Sequence, residues 1–244
     1  MTDVSPRNAP PNASGLVLED ERTVADLRTF VSRARVLVPD GSVRLQTFGR
    51  ALQLTVLVRS GEGLLGSGTV TAMRGAPLAA DGSEDPFAGG QMGGPGIFAT
   101  TGTVCDVVVD LSAVADRLAR MADEGDTTLS LPPVTRTAAW AAVTAPTSGW
   151  EVVGDTSPEE LAGIASELLG QLTARRDAGA SEAELAAADK ALWAGSVGEG
   201  QRQFRAALVL GAHALGFLSG AHARVLRHGS WQRLSTAAGS VITR

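Results

Sequence analysis

Residues 42–59 read SVRLQTFGRALQLTVLVR, and the period of this stretch decides the fold class. Val43 and Leu45 alternate with Arg44 and Gln46; further on, Leu52, Leu54, Val56 and Val58 alternate with Gln53 and Thr55. Successive side chains of a strand point to opposite faces, so this alternation describes two strands, each apolar on one side and polar on the other. Gly49-Arg50 lies between them and suits a hairpin turn.

The rest of the chain reads outward from this hairpin. Upstream, Leu27, Phe30, Val31 and Ala34 recur at helical spacing behind Thr23, a suitable N-cap, and Pro39-Asp40-Gly41 turns the chain. Downstream, Gly68–Arg74 has the pattern of a third strand. Residues 80–96 (ADGSEDPFAGGQMGGPG) are a glycine-rich loop without periodicity, the kind of segment that is either mobile or functional. Thr101–Val109 is expected to be a strand whose Val107-Val108-Val109 run implies burial on both faces. Ser112 is placed to cap a helix carrying Val114, Leu118 and Met121 and ending near Gly125, and Thr127–Leu131 is a short strand.

Near residue 146 the texture changes. After Trp150 the chain reads as helical, with Ser157 as N-cap, Pro158 at the first helical position and Glu159 and Glu160 matched to the helix dipole. Ser181 to Glu184 forms a capping box for a second helix. Residues 203–218 are apolar almost all round, the mark of a buried helix. Arg224–Arg227, Trp231–Ser235 and Ser240–Thr243 read as short strands. The sequence thus predicts an α+β protein. Its parts are a disordered tail at 1–15, an N-terminal β-sheet with packed helices at 16–145, and a C-terminal three-helix unit closed by a β-hairpin at 146–244. No internal repeat stands out.

Composition narrows the class. Of 244 residues, 44% are hydrophobic and 19% charged, which supports a sizeable core; with aromatics at 4% and no tyrosine, that core is built from Ala, Val and Leu. Twenty arginines against the single Lys190 reflect a GC-rich coding bias. Cys105 stands alone, so no internal disulfide forms and a secreted disulfide scaffold is excluded. The polar, proline-rich start has no apolar segment of a secretory signal, and no run approaches a membrane span. The expected setting is soluble and cytoplasmic.

Charge is unevenly distributed. From Gly200 to Arg244 there is no Asp or Glu, while Arg202, Arg205, Arg224, Arg227, Arg233 and Arg244 fall there with all three histidines. The total is −5, so the first 199 residues carry −11 against +6 for this segment.

Motifs with chemical content are few. Gly61-Glu-Gly63-Leu-Leu-Gly66 has the spacing of a dinucleotide loop, but that chemistry needs a helix opening at the loop, and Gly68-Thr-Val-Thr-Ala-Met continues as a strand. Asp106 and Asp110 lie four apart near a strand end and share a face, a placement seen for catalytic carboxylates; a capping role for Asp110 is the simpler account. Cys105 falls in a buried strand, where a thiol is inert. His213, His222 and His228 are spaced nine and six apart, matching no metal pattern, and His213 reads as a core histidine on an apolar helix. No metal and no cofactor is expected, and no catalytic residue is assigned. On the C-terminal hairpin Arg224, Arg227, Trp231, Arg233 and Arg244 are candidate partner contacts.

One resemblance rests on Gly149-Trp-Glu-Val-Val-Gly154, His213-Ala-Leu-Gly-Phe-Leu218 and Gly229-Ser-Trp-Gln-Arg-Leu-Ser235 with Gly239 and Arg244. The C-terminal half resembles a group of uncharacterised actinobacterial proteins, with a fainter likeness over the β-rich N-terminal part. The resemblance implies a bacterial cytoplasmic setting and carries no assigned activity or site residue. The leading expectation is a non-catalytic binding or protein-interaction protein, its arginines meeting an acidic protein surface or a second copy. A nucleic-acid-associated regulator using the basic hairpin ranks second, because the helix preceding that hairpin lacks base-reading polar residues. An enzyme with a site near Asp106 and Asp110 ranks third.

Overall fold

The computed structural model of the chain describes residues 15–61, 68–80, 105–200 and 203–244. In chain order the elements are β1 (Leu16–Val17), α1 (Glu21–Leu37), β2 (Ser42–Phe48), β3 (Ala51–Arg59), β4 (Val70–Pro77), β5 (Asp106–Asp110), α2 (Leu111–Glu124) and β6 (Thr128–Leu129). After a short 3-10 turn at Ala139–Ala142 follow β7 (Glu151–Thr156), α3 (Pro158–Asp177), α4 (Glu182–Ala194), β8 (Ser196–Val197), β9 (Phe204–Arg205), α5 (Ala206–Ala214), β10 (Ala223–His228), β11 (Trp231–Thr236) and β12 (Gly239–Thr243). The expected tail and the glycine-rich loop lie, apart from Gly15 and Ala80, outside the described residues.

The hairpin of residues 42–59 is part of an eight-stranded antiparallel sheet ordered β5-β2-β3-β4-β12-β11-β10-β7. Its alternation sets the two faces. Val43, Leu45, Leu52, Leu54 and Val56 are fully buried on the helical side, and Arg44, Gln46 and Gln53 point the other way. Two meanders, β2-β3-β4 and β10-β11-β12, each end at the middle of the sheet. There β4 and β12 pair from Val70↔Thr243 to Met73↔Ser240. The meander is therefore repeated about this central ladder, while the edge strand follows its meander in one half (β5) and precedes it in the other (β7).

Several expectations change at the C-terminal end. The last strands do not close the three helices as a hairpin; they form a meander inside the main sheet, between β4 and β7. The chain does not turn helical directly after Trp150, because β7 intervenes. This edge strand leaves Val152 half exposed, so it lacks the alternating burial that makes a strand legible. At the opposite edge, β5 begins at Asp106, and of its three valines only Val109 is fully buried. The apolar run marked an edge strand, not one covered on both faces.

Helix ends follow local chemistry. Asp20, not Thr23, caps α1, accepting from the Thr23 amide at 2.8 Å and the Thr23 hydroxyl at 2.7 Å, which holds its carboxyl below the usual range. Helix α2 starts one residue before Ser112, with Asp110 in the N-cap position but not bonding the helix, and it ends at Gly125 with φ 68°. Ser157 and the Ser181–Glu184 box cap α3 and α4 as expected. Helix α5 is shorter than residues 203–218, since Phe204–Arg205 first pairs with Ser196–Val197.

The five described α-helices pack on one side of the sheet. Helices α1 and α2 lie together over the first meander, α5 lies on β4, β11 and β12, and α3 and α4 stack on α5. Every residue of α5 from Ala206 to Ala212 is buried. Gly211 lets it approach the sheet: a Cβ there would stand 3.1 Å from Val241 Cγ1. Phe30 of α1 stacks on Phe217 at 5.7 Å, and Arg33 Nη1 donates to the Leu215 carbonyl at 3.1 Å. Arg74 of β4 reaches both Asp26 and the Ala238 carbonyl. Arg59 of β3 pairs with Asp189 at 2.8 Å and covers the Trp193 ring. The apolar core runs without a break through both meanders.

Phe217→Ala removes the stack that clips α1 to the second meander and should cost about 3–5 kcal/mol. Urea unfolding followed by circular dichroism and tryptophan fluorescence should give one coincident transition, shifted to lower urea in the variant. Two separate transitions in the parent chain would show that the central ladder does not couple the meanders.

Candidate functional site

The face of the sheet turned away from the helices is crossed by the connector that follows β6. Arg136 marks its start: its amide donates to the Val108 carbonyl at 2.7 Å and its guanidinium to Asp110 at 2.9 Å. Trp140 Nε1 donates to Ser42 Oγ at 3.3 Å, and Arg44 Nη1 donates to the Ala141 carbonyl at 2.9 Å. At the far end Trp150 Nε1 donates to the Pro146 carbonyl at 2.8 Å, His228 Nδ1 lies 2.9 Å from the Gly149 carbonyl, and the Trp150 and His228 rings meet edge to face. The connector is a strap, fastened at the β5 edge and again at β10.

Strap and sheet enclose a groove of about 660 Å³, within the range of small-molecule sites. Its floor comes from both meanders, with Gln53, Thr55, Thr71, Met73, Arg233 and Ile242 across it, and Ala139–Thr147 form its roof. Phe48 and Val143 line it while remaining 52% and 47% exposed, so the groove offers uncovered apolar surface. Among the described residues no Asp or Glu side chain lines it, whereas Arg44, Arg233 and Arg244 do.

The three arginines differ in their engagement. Arg44 is committed to Asp106 through two parallel bonds of 2.7 and 2.8 Å as well as to the strap, which keeps the guanidinium protonated and holds the Asp106 carboxyl below its usual range. Arg244 lies over the Trp231 ring at 5.6 Å. Arg233 bonds hydroxyls only: Nε to Ser235 Oγ at 2.8 Å and Nη2 to Ser240 Oγ at 2.9 Å, those hydroxyls being 2.9 Å apart. Burial pushes its pKa down, and no described carboxylate compensates.

The candidate contacts named from sequence do not form one surface. Register places Arg224, Trp231 and Arg233 on the strap face, with Arg244 continuing that face beyond Ile242. Arg227 lies on the helical side and bonds the Gln203 carbonyl at 3.2 Å, while Arg224 pairs with Asp155 at 3.3 Å away from the groove. Asp106 and Asp110 share the strap face as expected, each held by an arginine. Cys105 is buried, its thiol 3.7 Å from the Leu45 carbonyl and pushed up by burial. His213 is exposed on the last turn of α5, not in the core, and His228 is half buried beside Trp150. The glycine pattern from Gly61 leaves the described residues after its first glycine, and β4 follows it rather than a helix. The strap itself was not legible, although its indoles and prolines form an aromatic, turn-rich stretch.

Among the described residues no group of three or more His, Cys, Asp or Glu is placed to hold a metal, and no helix is long and apolar enough to cross a membrane. The family described as Domain of unknown function (DUF8010) matches residues 12–142, and that described as Domain of unknown function (DUF8185) matches residues 145–244. No curated protein matches the chain. A solved structure titled "Caulobacter crescentus pol III beta" is similar over 91% of this chain at 9% identity, with a TM-score of 0.46. The chain spans 63% of that structure's length.

The lowered Asp106 pKa has a consequence for stability. A depressed carboxyl stabilises the native state above its unfolded pKa, and that contribution is lost as pH falls through the folded value. Asp106→Asn should therefore cost about 0.5–1 kcal/mol at neutral pH, the pair being half exposed. In urea midpoints the difference should shrink as pH drops below the usual carboxylate range; a difference that grows in acid would contradict the ion-pair account.

Proposed function

We propose that this chain, which belongs to the DUF8010 family of unknown function, is a non-catalytic binding protein that holds its ligand between the strap and the open face of the sheet. The observation that carries the reading is the groove itself, a floor that both meanders build with Phe48 of β2 and Val143 of the strap left half exposed along it. Division of the chain near residue 145 belongs to the same reading: each part supplies four strands of the sheet, and the strap joins them across the groove. Its polar chemistry supports holding rather than turnover. The nearby carboxylates Asp106 and Asp110 are both tied up in arginine pairs, and the depressed Asp106 is poorly poised to take a proton. A bacterial, actinobacterial and cytoplasmic setting fits the arginine-biased composition. For the C-terminal arginines, the acidic partner anticipated from sequence becomes an anion held by Arg233 and Arg244. The nucleic-acid reading receives less support, since β10 and β11 are internal strands instead of a projecting wing.

A thermal-shift screen of the full chain against a metabolite collection tests this. Thr71→Trp, in the middle of the floor, fills the groove without touching the helical side. At least one compound should raise the parent Tm by several degrees and lose most of that effect in the variant. Compounds that shift both chains equally bind elsewhere and would count against the groove.

A further inference from the structure

The chemistry of the groove specifies what it holds. An arginine removed from water is normally paired with an anion, because desolvation of the charge is otherwise uncompensated. Arg233 is partly buried and has no such anion among the described residues. Its Nε and one edge of Nη2 are spent on Ser235 and Ser240, and Nη1 has no protein partner among the described residues. Among the described residues no buried side-chain nitrogen or oxygen is left unbonded, so Nη1 is open to the groove that Arg233 lines. The serines fix the guanidinium plane from one side and present its Nη1/Nη2 end to the other. That end is the fork that takes a carboxylate through two parallel bonds.

A second cation stands beside it. Arg233 pairs with Ile242 and Gln232 with Thr243, so Trp231 and Arg244 are the next positions along the same face. Two like charges set diagonally on neighbouring strands repel. Arg224, on the same face, has Asp155, and Arg44 has Asp106; for Arg233 and Arg244 no ion pair exists among the described residues. The protein as a whole is acidic, which makes a groove lined, among the described residues, by arginines and by no Asp or Glu side chain a local exception. Beyond the arginines the lining is uncharged: Ile242, Met73, Leu57 and Phe48 give it apolar surface among Gln53, Thr55 and Thr71, and Trp140 and Val143 come from the strap.

We propose that the groove binds a small amphipathic organic acid, its carboxylate on Arg233 with Arg244 alongside and its apolar body lying over Met73 and Ile242 beneath the strap. The proposal rests on the groove reading above and adds the ligand class. A flat acidic protein surface fits less well, because the partly buried Arg233 lines a groove whose other wall is the strap.

Isothermal titration of the full chain with decanoate, decanol, inorganic phosphate and a hexaglutamate peptide tests it. Decanoate should bind, and more tightly than decanol. Arg233→Met should weaken decanoate roughly 10- to 100-fold, the loss expected for a charged hydrogen-bonded contact, and leave decanol unchanged. Arg244→Gln should weaken decanoate in the same direction, and Arg224→Gln should not. Decanol binding as tightly as decanoate would overturn the carboxylate assignment while leaving the groove reading intact. Hexaglutamate or phosphate binding more tightly than decanoate would overturn the amphipathic assignment. Decanoate binding equally well to the parent and to Thr71→Trp would place the site elsewhere and sink both readings.

Discussion

The structure depends on the ladder between β4 and β12. Four residue pairs, Val70↔Thr243 to Met73↔Ser240, join two four-stranded halves, each a meander with an edge strand, into one eight-stranded sheet. Antiparallel sheets commonly pack one face and leave the other to solvent, and here all helical packing falls on the same side. The ladder sits beneath α5, whose Gly211 brings helix and sheet together over Val241 and Val70. Everything on the opposite face, including the juxtaposition of Met73 from one meander with Ile242 and Arg233 from the other, exists because this ladder forms.

How much of this was legible varies with how strongly a segment is buried. The β2–β3 hairpin was plain because one face is wholly buried and the other polar, which gives a clean period of two. The caps of α3 and α4 were plain because Ser157, Pro158 and the Ser181–Glu184 box act locally. Edge strands were misread for the converse reason: β7 is half exposed and β5 is short, so neither carries a full pattern. Strand order was beyond reach, since nothing local in Val70–Pro77 or Gly239–Thr243 says that they pair across more than 160 residues of chain.

The site was legible in part. Arginine segregation toward the C-terminus pointed at Trp231, Arg233 and Arg244, which do line the groove. It also pointed at Arg224 and Arg227, which are engaged with Asp155 and Gln203. What separates these groups is strand parity and the presence of neighbours, and both are tertiary facts. The other wall, Arg44 to Phe48 and the Ala139–Thr147 strap, carries no charge signal. It becomes visible only when the connector is seen to run back across the sheet. Ion pairs at Asp106 and Asp110 then acquire a purpose, since Arg44 and Arg136 fasten the strap at the same time.

The central claim is that an anion occupies the strap side of the sheet and is held by Arg233. Heteronuclear NMR of the full chain, with arginine Nε–H resonances resolved during titration with decanoate, reads this residue by residue. The account predicts saturable shifts at Arg233 Nε, at the amides of β11 and β12, and in the 139–147 strap, with Arg224 and the helices unmoved. Shifts confined to the helical side, or an Arg233 resonance that stays fixed while ligand binds, would contradict it.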